Sequence, residues 1–285
     1  MSAKLVSRAR AGDRKALGKL LTKAENRVQG INAHVVSHVG KAHIVGIAGA
    51  PGTGKSSLID ALIGAYRRAG RSVAVVAIDP SGEEAGALLG DRIRLKSWAT
   101  DPGVYVRSMA SRGHPGGLAP STPLVLRILD ACEFDVILVE AAVLSEDVVE
   151  QTDTLVLVVT PESGDAVQLL KNDGIREADL LVVNKADQTG VGATLATLKT
   201  ITDTPVLSTV ASVRAGADDL RAAVDACAPN DPKKRRFLRR VTCEIESLTV
   251  DIVREQLVDA PDLAARVMSG KLDPFVAAQL MTGNY

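Results

Sequence analysis

Apolar positions follow two rhythms along the chain, and the changes of rhythm divide it in three. After Gly12-Asp13, a helix-start signal, Leu17, Leu20, Leu21, Ala24 and Val28 recur at the spacing of one helical face, so residues 1–41 read as a helical extension. From Ala42 the pattern becomes short, mostly β-branched runs: Ile44–Ala48, Val73–Ile78, Val104–Val106, Val136–Val139, Leu155–Thr160, Leu180–Val183 and Pro205–Leu207. These runs lack in/out alternation, so both faces must be covered, and the intervening segments are long enough to supply crossover helices. The expected fold of residues 42–229 is therefore α/β, a mostly parallel, doubly wound sheet. Past Pro229 the helical rhythm returns in Ile245, Leu248, Ile252, Val253 and Leu257, with a last helix expected over Pro274–Met281. This 230–285 arm carries an apolar stripe that needs a surface to pack on.

Composition narrows the functional classes. Aromatic residues make up 2% of the 285, so the core must be built from Val, Leu, Ile and Ala, as buried parallel strands are. Thirty-four basic residues balance thirty-four acidic ones, which removes the broad positive footprint of a nucleic-acid binder. The basic stretch Lys233-Lys234-Arg235-Arg236 with Arg239-Arg240 reads as a solvated helix face. Cys132, Cys227 and Cys243 are odd in number and lack metal-ligand spacing, which argues for reduced thiols. With a charged N-terminus and no long apolar run, the expectation is a soluble, cytoplasmic protein without a membrane partner.

The chemistry is concentrated after the first strand. Gly49-Ala50-Pro51-Gly52-Thr53-Gly54-Lys55-Ser56 matches G-x-x-x-x-G-K-[ST] between a predicted strand and a predicted helix. Glycines let successive backbone N–H groups converge on phosphate oxygens, and the helix adds its positive end. Lys55 is the candidate for the β- and γ-phosphates, and the Ser56 hydroxyl for Mg²⁺, a hard cation that prefers oxygen. Pro51 and Ser57 complete this candidate set. Asn184-Lys185-Ala186-Asp187 follows the sixth run, at the strand end where open α/β sheets bind ligands. An aspartate there accepts from guanine N1–H and the exocyclic amine, whereas adenine leaves the carboxylate unpaired. Together the motifs point to GTP and GDP.

With both motifs in place the chain resembles the methylmalonyl-CoA mutase-associated G proteins, the MeaB/ArgK family of P-loop GTPases. The resemblance extends to Ala11-Gly12-Asp13-Arg14-Lys15-Ala16-Leu17, Ile78-Asp79-Pro80-Ser81-Gly82, Leu89-Gly90-Asp91-Arg92-Ile93-Arg94, Phe134-Asp135-Val136-Ile137-Leu138-Val139-Glu140 and Asp273-Pro274-Phe275-Val276-Ala277-Ala278. It implies a P-loop NTPase fold and a GTPase that gates cofactor loading of an adenosylcobalamin-dependent acyl-CoA mutase and protects the enzyme. It also implies a homodimer joined through the C-terminal arm. Asp79, Asp91 and Glu140 then correspond to acidic positions around Mg²⁺ and the attacking water, with Glu140 and Lys55 as catalytic candidates. As residues alone, Asp79-Pro80 also reads as a turn and Asp91 as a helix cap.

Two passages depart from that family. Where its members carry a glycine-containing switch, this chain reads Glu140-Ala141-Ala142-Val143-Leu144-Ser145-Glu146-Asp147, which predicts slow turnover because Val143 cannot supply glycine's backbone freedom. Val210-Ala211 stands where the family supports the guanine ring with Ser-Ala. The alternatives are a non-hydrolysing, nucleotide-responsive scaffold, or a metallochaperone-type GTPase, for which the chain shows no Cys/His site. His114 lies in a glycine-rich loop and reads as solvent-exposed.

Overall fold

The computed structural model describes residues 2–39, 41–79, 95–111, 118–142, 144–161, 174–228, 240–246, 248–250, 252–253 and 261–282. Asp91, His114, Val143 and the basic stretch up to Arg239 lie outside them. Two compact units are present, Met1–Phe237 and Leu238–Tyr285.

In the first unit seven strands form one parallel sheet. They are β1 (His43–Ala48), β2 (Val73–Asp79), β3 (Val104–Ala110), β4 (Val136–Glu140), β5 (Thr154–Val159), β6 (Leu180–Val183) and β7 (Val206–Ser208), in the order β3-β2-β4-β1-β5-β6-β7. The helices described there are α1 (Ser2–Arg10), α2 (Arg14–Glu25), α3 (Asn32–Val35), α4 (Lys55–Arg68), α5 (Thr122–Ala131), α6 (Glu146–Gln151), α7 (Gly174–Glu177), α8 (Val191–Ile201) and α9 (Ala217–Ala226). Every strand expected from the apolar runs is present.

The strands are apolar on both faces because both faces are buried. Ile44, Val76, Ile137, Val139, Leu157 and Leu181 point into a layer built with α1, α2, α3, α5, α6 and α8. Val45, Ile47, Val75, Leu138, Val156 and Val182 point the other way, against Leu58, Ile59, Leu62 and Tyr66 of α4 and Leu220 and Val224 of α9. Successive residues alternate between two dry layers, as the period of a strand requires.

Strand β3 runs on to Ala110, beyond the expected Val106, since a sheet edge tolerates polar residues that a central strand would not. Arg107 on β3 pairs with Glu25 of α2 at 2.6 Å, and the Arg14 guanidinium donates to the Val104 and Asp101 carbonyls at 2.6 and 2.8 Å. Helix α2 thus shields the edge. It begins where the sequence predicts: the Asp13 side chain accepts from Ala16 N at 2.9 Å, and that amide, followed by Arg8, holds the carboxyl below its ordinary range. Leu17, Leu20, Leu21 and Ala24 are buried, but Val28 is exposed, because the helix ends at Glu25.

At the amino edge of the sheet, carboxylates just before one strand satisfy amides that open another. Asp153 accepts from Ile44 N at 2.9 Å, Asp179 from Leu155 N at 2.8 Å and Asp135 from Ser72 N at 2.7 Å. Asp130 takes both Lys41 N and Ala42 N, at 3.0 and 2.9 Å.

The second unit is helical where described, including α10 (Pro261–Met268) and α11 (Pro274–Thr282). Ile245, Ile252, Met268 and Phe275 are exposed. Among the described residues no helix is long and apolar enough to cross a membrane.

Candidate functional site

At the carboxyl ends of the central strands, the glycine-rich turn after β1 and the loops after β6 and β7 come together. The turn from β1 into α4 starts at Gly49, whose φ of 152° and close approach to the Val158 carbonyl exclude a side chain. It ends at Gly54, with φ 88°, where the Asn184 amide occupies the space a Cβ would take. Gly54, the residue that caps α4, has no side chain to bond the first turn's amides. A helix start of this kind favours an anion.

Lys55, the first residue of α4, folds its ammonium back over the turn and donates to the Gly49 and Ala50 carbonyls at 2.8 and 3.0 Å. Its neighbour Ser56 donates its hydroxyl to Glu140 Oε1 at 2.7 Å, and both residues are buried. Glu140 closes β4 opposite Ile47 of β1 and Ala77 of β2. Asp79 ends β2, two positions beyond that level. The Ser56 hydroxyl and the Glu140 carboxylate are hydrogen-bonded oxygen donors, the ligand type a small hard cation takes. Among the described residues no group of three or more His, Cys, Asp or Glu side chains forms a ready metal cluster. Thr53 is buried, its hydroxyl donating to Ala50 O at 2.9 Å, while Pro51, Gly52 and Ser57 are exposed.

The second motif sits beside the first. Buried Asn184, directly after β6, donates its amide to Thr53 O at 2.8 Å. Its Oδ1 accepts from Thr209 Oγ1 at 3.1 Å and from Ala211 N at 3.2 Å. One side chain therefore joins the glycine-rich turn, the loop after β6 and the loop after β7. Lys185 adopts a left-handed φ of 56°, Ala186 N donates to Thr209 O at 3.0 Å, and Asp187 stands exposed at the tip. Val210 is half-buried and bridges Ala215, while Ala211 is buried.

The structure thus brings Gly49, Thr53, Gly54, Lys55, Ser56, Glu140, Asn184 and Ala211 into one connected set. Asp91 falls outside the described residues. Sequence reasoning passed over Thr209, whose only signal was a polar residue just past a strand end and ahead of Val210-Ala211.

Comparison with known proteins agrees with this geometry. The family model described as methylmalonyl Co-A mutase-associated GTPase MeaB matches residues 17–262. A protein of Pyrococcus horikoshii that bears a GTPase designation is 37% identical over 97% of this chain and 96% of its own length. A fused isobutyryl-CoA mutase of Cupriavidus metallidurans is 37% identical over 63% of this chain and 17% of its own. Among solved structures, a LAO/AO transport system kinase superposes with a TM-score of 0.65, at 19% identity, over 99% of this chain and 96% of that one, a likeness of fold. With the phosphate-type turn, the Asn184 junction and this match over most of its length, the chain belongs to the MeaB family of P-loop GTPases.

Proposed function

We propose that this protein binds GTP and GDP with Mg²⁺, hydrolyses GTP slowly, and uses that cycle to act on an adenosylcobalamin-dependent acyl-CoA mutase as its chaperone and gatekeeper. The observation that carries the reading is the junction at Asn184, which ties the phosphate turn to the base loop through Thr53 O at 2.8 Å and Ala211 N at 3.2 Å. A side chain in that position makes phosphate recognition and base recognition one mechanical unit.

The residues divide the work by their chemistry. The amides from Gly49 to Gly54 and the start of α4 surround the phosphates, and Lys55, released from the Gly49 and Ala50 carbonyls, neutralises their charge. Ser56, Asp79, Asp91 and Glu140 are the residues that would hold Mg²⁺, which supplies charge neutralisation at the phosphate oxygens. Glu140, bonded to Ser56, would also orient the attacking water. Asp187 reads the guanine edge, with Lys185, Val210 and Ala211 along the ring.

Slow turnover is supported by Glu140-Ala141-Ala142-Val143, which offers no glycine to bring an amide to the γ-phosphate. The mutase partner is supported by the family's description and by relatives in which a matching segment is part of a fused isobutyryl-CoA mutase. Exposed Ile252, Met268 and Phe275 support a homodimer through the 230–285 arm. The remaining assignments follow the composition: a 1–41 extension, a 42–229 nucleotide domain and a cytoplasmic location.

Single-turnover GTP hydrolysis with and without purified methylmalonyl-CoA or isobutyryl-CoA mutase tests the reading. Hydrolysis slower than about 1 per second, altered by a mutase, is expected. No hydrolysis under either condition, with guanine nucleotide still bound, would favour the scaffold instead. A basal rate well above that value would refute the impaired switch.

A further inference from the structure

Beside the base loop, two side chains from separate parts of the chain meet at one carboxylate. Asp60, on α4, accepts from Trp98 Nε1 at 2.7 Å through Oδ1 and from the Arg214 guanidinium at 2.9 Å through Oδ2. The Arg214 guanidinium also lies over the Trp98 ring, 5.5 Å from its centre, so the charge is held from two directions. Gly64, one turn after Asp60 on α4, lies beside the cluster: a Cβ there would make ordinary contact with Arg214 Nη1 at 3.5 Å and the edge of Trp98 at 3.7 Å.

Arg214 belongs to the loop that closes the base side. Its φ is 58°, a left-handed conformation uncommon for a residue with a side chain. Its own N–H donates to Ala211 O at 3.1 Å, and Val210 and Ala215 bridge across the same loop. The Ala211 N–H in turn is the group bonded to Asn184. A chain of direct contacts therefore runs from Asp60 through Arg214 and Ala211 to the junction of the nucleotide motifs. Local backbone bonds shape the loop, and the Asp60–Arg214 pair fixes it to α4, the helix whose start faces the phosphates.

We infer that Asp60 is a positioning residue for guanine recognition, acting through Arg214 to set the 210–215 loop against the base. The inference rests on the proposed nucleotide reading and deepens it. Among the described residues the carboxylate bonds to Trp98 and Arg214 and to no residue of the glycine-rich turn; it lies on the second turn of α4, five residues past Lys55, and acts through Arg214 on the base loop and not on the phosphates. Trp98, the only tryptophan, is the built-in reporter of that arrangement.

Calorimetry compares GDP with inorganic tripolyphosphate, both with Mg²⁺, on wild type, Asp60→Ala, Arg214→Ala and the double variant. The expected result is a loss of about tenfold in GDP affinity for each single variant, with tripolyphosphate changed by less than about twofold. The double variant is expected to be no weaker than either single one, since both act along one path. Adding GDP should shift Trp98 emission in wild type and leave it unmoved in Arg214→Ala. Unchanged GDP affinity in the single variants, equal losses for GDP and tripolyphosphate, or additive losses in the double variant would overturn the inference alone. Wild-type protein that takes tripolyphosphate but not GDP would overturn it together with the guanine reading beneath it.

Discussion

The two edges of the parallel sheet are built from the same kinds of strand and treated in opposite ways. At the amino edge, Asp130, Asp135, Asp153 and Asp179 fill the amides that open the neighbouring strands and leading segments. At the carboxyl edge, the first amides of α4 have no side-chain cap, a lysine leans on carbonyls of its own turn, and a serine shares a hydrogen with a buried glutamate. At one edge the polar groups join neighbouring strands; at the other they gather around the glycine-rich turn. The contrast separates stability from function by position, and substitutions on each edge should show it.

The largest effect is expected at the carboxyl edge. Lys55→Ala removes the only described ammonium over the phosphate turn and should weaken GDP by at least about a hundredfold, or about 2.7 kcal/mol, in equilibrium titration. Its far-ultraviolet dichroism should match wild type, because the lysine's described hydrogen bonds go to two carbonyls of its own turn. Next comes Asp187→Asn, which turns an acceptor into a group that donates as readily. It should reduce the preference for GDP over ADP by about ten- to a hundredfold, measured as the ratio of the two dissociation constants.

The amino edge gives the inverse pattern. Asp153→Ala leaves Ile44 N without its acceptor at the start of β1, five residues from Gly49 of the phosphate turn, and should cost about 1–3 kcal/mol in urea unfolding. GDP affinity of the folded protein should stay within about twofold. A variant that loses affinity and stability together would show that the two edges are not separable.

Smallest is the acid response. Asp13 is held below the ordinary carboxylate range by the Ala16 amide and then by Arg8, and Asp101 chiefly by its hydrogen bond from Arg67. A depressed folded-state pKa means that the stabilisation is complete above about pH 4 and disappears as the pH falls through the lower folded value. The difference in melting temperature between wild type and Asp13→Ala should therefore shrink below about pH 4 and stay constant from there to neutrality.

What the sequence made legible follows the same division. Strand runs such as Val136–Val139 and Leu180–Val183 were readable because burial on both faces leaves no polar residue to break them, and the end of β3 was not, because Arg107 on an edge strand looks like a loop. Helix α2 was readable at its start, where Asp13 signals a cap, and not at its end, where Val28 continues the apolar spacing beyond the last turn. In the site, Lys55, Ser56 and Asn184 carry motifs whose spacing is local. The Asn184 contacts with Thr53 and Thr209 are separated by 131 and 25 positions and exist only once β1, β6 and β7 are neighbours. Asp60, Trp98 and Arg214 carry no motif at all, since each is an ordinary helix, turn or loop residue until the sheet folds.

The central claim is that a glycine-rich turn holding phosphates and a carboxylate reading guanine are joined through Asn184. Calorimetric titration of the purified protein with GDP and with ADP, in the presence of Mg²⁺, tests it most directly. The account predicts saturable GDP binding at one site per chain and ADP weaker by at least about a hundredfold. Equal affinity for the two nucleotides, or no heat with either, would contradict it.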